Sequence, residues 1–118
     1  MRFDTEKAIY LQIADHVMEK ILKEEWLAEQ KILSVRDLGG ELEVNPNTVM
    51  RAYDLLQQQE IIYNKRGLGF FIAKDAKKKV ARMKKKHFIE VELPQFFSTL
   101  DLLDISMEEV NTYYKKRN

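Results

Sequence analysis

Polar side chains gather on one side of a predicted helix that follows Asn45. Asn45 is a favourable N-cap residue, and Pro46 falls at the first helical position, where its missing N–H costs nothing. The first turns of this helix carry the side chains Asn47, Thr48, Met50 and Arg51. Asparagine pairs with adenine, arginine pairs with guanine, and methionine can contact the thymine methyl group. These turns therefore predict a surface that reads base edges in duplex DNA.

The same polar side has a second interpretation. A helical wheel places Val49, Ala52 and Leu56 on the opposite side, and any surface helix shows polar residues opposite such an apolar side. Asp54 lies on the polar side one turn further on, so it must point away from phosphates or tune specificity. The wheel alone fits a solvent-facing helix equally well.

A β-hairpin is predicted directly after this helix. The β-rich runs 61–63 and 70–72 flank the turn signal Gly67-Leu68-Gly69. Lys65 and Arg66 stand beside this turn, where cations reach phosphates or the minor groove. The alternative interpretation is a solvated hairpin tip.

Two further helices precede these elements. Apolar residues at helical spacing predict one over residues 7–24, and Ser34 caps a second that begins before Arg36. The second contains Gly39 and Gly40, so either another segment approaches that backbone closely or the helix is weak. Helix, helix, helix, strand, turn and strand is the order of a winged helix-turn-helix. The fold class is thus mainly α with a small β-hairpin, followed by a short helical dimerisation tail.

Two stretches resemble the winged-helix domain of the GntR family of bacterial transcription regulators. They are residues 33–38 (Leu-Ser-Val-Arg-Asp-Leu) and 44–53 (Val-Asn-Pro-Asn-Thr-Val-Met-Arg-Ala-Tyr), and residues 66–71 resemble the family's Gly-x-Gly wing tip. The resemblance implies a homodimer on a palindromic operator, usually repressing its own operon. It also implies that Arg36, like the matching arginine of the family, reaches DNA. The short tail, without room for a separate effector domain, looks like the YtrA-type branch, whose operons often encode an ABC transporter.

The chain departs from the family pattern at several positions. Glu29, Glu43 and Glu60 stand where the family commonly has glycine, and Gly39 stands where alanine is common. Leu33 stands where the family usually has proline, and Phe70 stands where it usually has a small hydroxyl residue. If the backbone at Glu43 or Glu60 has a positive φ, glutamate is strained there.

Residues 75–118 predict a dimerisation tail after a DNA-binding domain of residues 1–74. Asp75 caps a helix that Pro94 bends or ends, and a capping box at Ser106 begins a last helix. The candidate interface residues of the tail are Val80, Met83, His87, Phe88, Val91, Phe96, Phe97, Leu100 and Leu103. So short a segment cannot enclose that much apolar surface alone. A partner chain is the expected cover.

The net charge of +1 conceals a basic block. Residues 74–87 hold eight of the 20 Lys and Arg residues and one acidic residue. Two interpretations stay open: the block contacts phosphates next to the wing, or it is the solvated face of a surface helix.

Several function classes are excluded. The chain has no cysteine, its only histidines, His16 and His87, lack convergent ligands, and no nucleophile–base pair is readable from spacing. We therefore predict no enzyme activity, no metal and no cofactor. The charged N-terminus and the lack of an apolar run near ~20 residues predict a cytoplasmic protein without membrane contact. The sequence does not specify an effector molecule.

Two other binding functions are alternatives to DNA recognition. A winged helix used as a protein-interaction module would favour apolar or aromatic anchors on its exposed helix face, and this face offers only Met50. RNA binding would favour exposed aromatic platforms, and none is evident.

Overall fold

The computed structural model describes residues 1–117. In chain order its elements are α1 (Ile9–Leu22), α2 (Val35–Leu42), α3 (Pro46–Gln58), β1 (Ile62–Lys65), β2 (Gly69–Ile72), α4 (Ala76–His87), a π-helical segment (Phe88–Glu92), α5 (Leu93–Leu103) and α6 (Met107–Lys116). This order confirms the predicted winged helix-turn-helix followed by helices. The chain forms two compact units, the first being Met1–Arg82 and the second beginning at Met83.

The core of the first unit lies where α3 packs against α1 and α2. Its fully buried side chains come from every element of the unit, among them Ile13, Val17, Leu38, Val49, Tyr53, Leu56 and Ile72. Burying each large aliphatic side chain contributes roughly 1.5–3 kcal/mol. The hydroxyl of Tyr53 donates to the Leu33 carbonyl at 2.7 Å, and its ring meets Phe70 edge-on at 4.9 Å. Tyr53 therefore joins α3 to both the loop before α2 and the hairpin.

Side-chain caps begin three of the helices as the sequence predicts. The Ser34 Oγ accepts from the backbone N–H of Asp37 at 3.0 Å, and the Asn45 Oδ1 accepts from that of Asn47 at 2.8 Å. Ser106 caps α6 in the same way. Each cap satisfies a donor that the first helical turn leaves without a partner.

The hairpin has a third, very short strand partner that the sequence analysis did not predict. β1 and β2 are antiparallel, with Ile62 opposite Ile72 and Lys65 opposite Gly69. On the other side of β2, the Ile32 N–H donates to the Phe70 carbonyl at 2.9 Å, and the Ile72 N–H donates to Gln30 at 3.0 Å. Residues 29–32 thus attach the loop after α1 to the wing.

The glutamates at family-glycine positions do adopt positive φ. The angles are +66° at Glu29, +58° at Glu43 and +59° at Glu60. Glu43 directly follows α2, and Glu60 comes shortly after α3, where a left-handed residue commonly ends a helix. A side chain in this region costs roughly 1–2 kcal/mol. The strain expected from the sequence is therefore present.

The two glycines of α2 differ in their surroundings. A Cβ on Gly39 would lie 2.8 Å from the Val44 carbonyl oxygen, whereas a Cβ on Gly40 would meet nothing within 4 Å. The close approach that the sequence left open therefore exists at Gly39 and not at Gly40. It lets the chain turn tightly from α2 into α3.

The helix after the wing does not end at Pro94. It continues through the π-helical segment, where the Leu93 N–H donates to the Phe88 carbonyl five residues back, and Pro94 lies in the first turn of α5. Proline cannot donate, and its ring crowds the preceding turn. A π segment also adds a residue to the turn, so the predicted stripe through Val91 does not run straight.

Candidate nucleic-acid interface

The polar side of α3 faces away from the core. Val49, Ala52, Tyr53 and Leu56 are fully buried on its other side, where α3 contacts α1, α2 and β1. The predicted readers lie outward: Asn47 and Arg51 are exposed, and Thr48 and Met50 are half-buried. Asn47 and Arg51 are one turn apart and therefore share a face. The buried side fixes the orientation of this polar face.

Asn45 and Arg36 occupy the two helix starts of the helix-turn-helix. The side-chain oxygen of Asn45 is engaged in capping α3, so this residue sets where the helix begins. Arg36 is exposed in the first turn of α2. Exposed Asp54 is 3.5 Å from the Gln57 amide, which donates to it.

The wing is a cationic hairpin tip on an aromatic base. Lys65 and Arg66 are exposed, and Gly67 and Gly69 have φ values of +80° and +110°. The rings of Tyr63 and Phe71 stack with centroids 5.8 Å apart, and the Lys65 ammonium lies 4.8 Å from the Phe71 centroid. The aromatic base thus supports the side chain of Lys65.

Lys31 adds a cation to the wing that the sequence analysis missed. Its Cε would lie 3.1 Å from a Cβ built on Gly69. The residue reaches this position because residues 29–32 pair with β2. The polar run Glu29-Gln30-Lys31 carries no strand pattern, so no signal in the sequence could have placed it there.

Tyr10 is a second residue that the sequence analysis missed. The guanidinium carbon of Arg51 lies 3.9 Å from the centroid of the Tyr10 ring. Tyr10 is half-buried on α1, which packs against α3. Its position results from helix packing and not from any local pattern.

Two further titratable groups have pKa values shifted by burial. Partial burial, followed by the charge of Lys20, lowers the pKa of His16, and burial raises the pKa of Tyr53. Among residues 1–117, no group of three or more His, Asp or Glu side chains is placed to hold a metal ion. No helix in this range has the length and apolar character needed to cross a membrane.

The second unit exposes an unusual amount of apolar surface. Its exposed large side chains are Phe88, Ile89, Val91, Phe96, Phe97, Leu102, Leu103, Met107, Tyr113 and Tyr114. Leu102 is the extreme case, with 83% of its surface accessible. Single exposed apolar residues are ordinary, but so many on so short a segment indicate an interaction surface.

Not all candidate interface residues belong to this surface. Val80 is fully buried, and Leu100 is 7% exposed, so the chain itself already covers both. Val80 lies in the part of α4 that belongs to the first unit, where Lys77 pairs with Glu24 at 3.0 Å. Met83 is half-buried and His87 is exposed. Phe88, Val91, Phe96, Phe97 and Leu103 remain accessible.

The fold and the outward face of α3 define a winged helix-turn-helix DNA-binding domain. The family description "Bacterial regulatory proteins, gntR family" matches residues 9–72, and the chain belongs to this family. It is a transcription regulator of the YtrA type, and the family confirms the prediction that it is not an enzyme.

Two curated relatives from Bacillus subtilis (strain 168) are similar over most of the chain. The HTH-type transcriptional regulator YhcF is 37% identical over 109 residues, which are 92% of this chain and 88% of YhcF. The HTH-type transcriptional repressor YtrA is 32% identical over 108 residues, which are 92% of this chain and 82% of YtrA.

Of two solved structures with a similar fold, one matches nearly the whole chain and the other about half of it. A GntR family transcriptional regulator from Listeria monocytogenes has a TM-score of 0.81 at 35% identity, over 98% of this chain and all of that one (100%). The AraR DBD in complex with operator ORR3 has a TM-score of 0.52 at 28% identity, over 54% of this chain and 77% of that one.

Proposed function

We propose that this protein binds a palindromic DNA operator as a homodimer and represses transcription from the adjacent promoter. The outward polar face of α3, fixed by its fully buried opposite side, is the observation that carries the proposal. A helix held in this way presents Asn47 and Arg51 to base edges without further ordering, and specific contacts depend on such placement.

In this proposal the residues of the first unit divide into base readers and phosphate contacts. Asn47, Thr48, Met50 and Arg51 meet bases in the major groove. Arg36, Lys65 and Arg66 neutralise phosphates or enter the minor groove, while Gly67 and Gly69 let the wing backbone approach the duplex. Asn45 acts through the cap that sets the start of α3. The AraR DBD, a structural relative captured on an operator, supports DNA as the partner.

Dimerisation is assigned to the tail within residues 75–118. The exposed aromatic and aliphatic side chains of the second unit support this assignment, because a second copy can cover them. The accessible candidates are Met83, His87, Phe88, Val91, Phe96, Phe97 and Leu103. Two-fold symmetry sets two α3 helices about 34 Å apart, one turn of duplex, so the operator is palindromic.

Repression follows from occupancy alone. A dimer seated on its operator obstructs RNA polymerase in the cytoplasm, and no chemical step or cofactor is needed. The relative YtrA is itself named a repressor, which supports this direction of control. We further propose that the regulated operon encodes a transporter, as the YtrA-type branch implies.

Selection of bound sites from random duplex DNA, at a stated salt concentration, tests the DNA proposal. The expected product is an inverted repeat whose half-sites are one helical turn apart. Enrichment of single-stranded RNA in a parallel selection, or no enrichment of duplex DNA, would contradict it. A reporter gene behind the selected operator then tests repression: its expression should fall when the protein is present.

Sedimentation of charged variants tests the dimer proposal. Phe97→Glu places a charge on the exposed apolar surface of the tail and should convert the dimer to a monomer. Leu27→Glu makes the same kind of change at an exposed apolar residue of the first unit and should remain dimeric. A dimeric Phe97→Glu together with a dimeric Leu103→Glu would move the interface away from the tail.

A further inference from the structure

The side chain of Arg51 rests on a ring that belongs to another helix. Its guanidinium carbon is 3.9 Å from the centroid of Tyr10, within the range of a cation–π contact. Tyr10 is the second residue of α1 and is half-buried, and α1 packs on α3. The ring thus lies on a helix that is packed against α3, whereas Arg51 is exposed.

A cation–π contact of this kind can leave the guanine-binding donors of Arg51 available. Stacking uses a face of the planar guanidinium, while the N–H groups that bind guanine point outward in its plane. A guanidinium on a ring can therefore still make two parallel hydrogen bonds to a base. An ion pair would instead occupy those donors and neutralise the charge.

Asp54, an acidic residue on the same side of α3, does not form an ion pair with Arg51. Asp54 lies three residues after Arg51, but its carboxylate accepts from the Gln57 amide at 3.5 Å. Among residues 1–117, Arg51 forms no ion pair. The Tyr10 ring is thus the contact that restricts the guanidinium.

We propose that Tyr10 is a positioning residue for base recognition, holding Arg51 in the orientation in which it meets a guanine. The inference rests on the proposed function, since it requires Arg51 to read a base. An arginine side chain loses considerable conformational freedom when it binds, and a platform that restricts it beforehand lowers that cost. Tyr10 thereby contributes to specificity through Arg51, without a base contact of its own.

The test is a double-mutant cycle on the full-length protein with the selected operator and a scrambled duplex. Tyr10→Phe keeps the ring and should bind the operator within about twofold of the unaltered protein. Tyr10→Leu removes the ring and should raise the operator Kd about 3- to 10-fold, with the scrambled-duplex Kd unchanged. In an Arg51→Ala background, Tyr10→Leu should cause no further change.

An NMR measurement on the free protein reports the stack directly. The Arg51 side-chain protons should show a ring-current shift that Tyr10→Phe retains and Tyr10→Leu abolishes. If Tyr10→Leu does not fold, Tyr10→Met supplies a flexible apolar side chain of sufficient length in its place.

The outcomes separate the inference from the proposed function. Normal operator binding by Arg51→Ala would overturn the base-reading role itself, and the positioning role with it. A weakened Arg51→Ala beside an unaffected Tyr10→Leu would overturn only the positioning role. An equal effect of Tyr10→Leu in the unaltered protein and in Arg51→Ala would also overturn the positioning role. A loss of operator affinity in Tyr10→Phe would overturn it too, because it would indicate that the hydroxyl contacts DNA.

Discussion

Glu43 joins the two helices of the helix-turn-helix in a conformation that suits glycine. Its φ is +58°, and its N–H caps α2 by donating to the Gly39 carbonyl. Its side chain is exposed, and no hydrogen bond or ion pair of that carboxylate exists within residues 1–117. Glu29 and Glu60 differ, because the Glu29 carboxylate accepts from the Tyr63 hydroxyl and the Glu60 carboxylate contacts Lys79. Of these three glutamates, Glu43 is therefore the one at which backbone strain can be measured without losing a side-chain contact.

Replacing Glu43 with glycine should stabilise the protein. Relief of the left-handed strain is worth roughly 1–2 kcal/mol, and the extra chain entropy of unfolded glycine offsets about 0.5–1 kcal/mol of it. The free energy of unfolding should rise by about 0.5–1 kcal/mol in urea titrations. Glu43→Ala loses the same carboxylate but keeps the Cβ, so its stability should change little. An equal gain in both variants would attribute the effect to charge.

At the scale of the element, α2 contains one glycine that another backbone segment approaches closely and one whose surroundings are open. The Val44 carbonyl leaves no room for a Cβ on Gly39, and the space around Gly40 is open. At Gly40 no neighbouring atom requires the absence of a side chain. Glycine inside a helix costs about 1 kcal/mol of stability relative to alanine.

Alanine at these two positions should therefore have different effects. Gly40→Ala should raise the free energy of unfolding by about 1 kcal/mol, because it removes backbone freedom from the unfolded chain. Gly39→Ala should give no such gain, because the methyl group meets a backbone oxygen. Thermal unfolding of both variants measures the difference. Equal gains would show that the α2–α3 turn adjusts without cost.

Which elements the sequence could predict depends on where their determinants lie. The caps at Ser34 and Asn45 and the wing turn were predictable because the residues that form them are neighbours in the chain. The pairing of residues 29–32 with β2, and the contact of Arg51 with Tyr10, arise only when distant segments meet. The same is true of Val80, whose apolar side chain fits a core and an interface equally well until its burial is known.

At the scale of the whole molecule, the basic residues are not equivalent. In the basic block, Lys77 pairs with Glu24 at 3.0 Å, and Lys79 lies 3.5 Å from carboxylate oxygens of both Glu60 and Asp75. Part of the block is thus balanced by acidic residues of its own chain. Lys65 and Arg66 at the wing form no ion pair within residues 1–117, which leaves their charge available to phosphates.

The salt dependence of operator binding should therefore change most with the wing. Each neutralised phosphate contributes about −0.9 to the slope of log K against log salt, so Lys65→Gln with Arg66→Gln should flatten it by about 1.8. Lys85→Gln with Lys86→Gln removes the same charge from exposed residues of α4 and serves as the matched comparison. A flatter slope in this second variant would assign the α4 face to phosphates as well. An unchanged slope in the wing variant would contradict the proposed wing contacts.

In the proposed function α3 is the element that reads sequence, and one set of dissociation constants tests this directly. The Kd values of the unaltered protein, Arg51→Ala and Lys23→Ala are measured on the selected operator and on a scrambled duplex at one salt concentration. Lys23 is an exposed cation paired with Glu19 at the end of α1, so its replacement controls for the loss of one positive charge. Arg51→Ala should weaken operator binding by about 1–3 kcal/mol, roughly 5- to 150-fold, with little change on the scrambled duplex. Lys23→Ala should leave the ratio of the two constants unchanged. A folded Arg51→Ala protein that keeps both its operator affinity and its preference over the scrambled duplex would contradict the account.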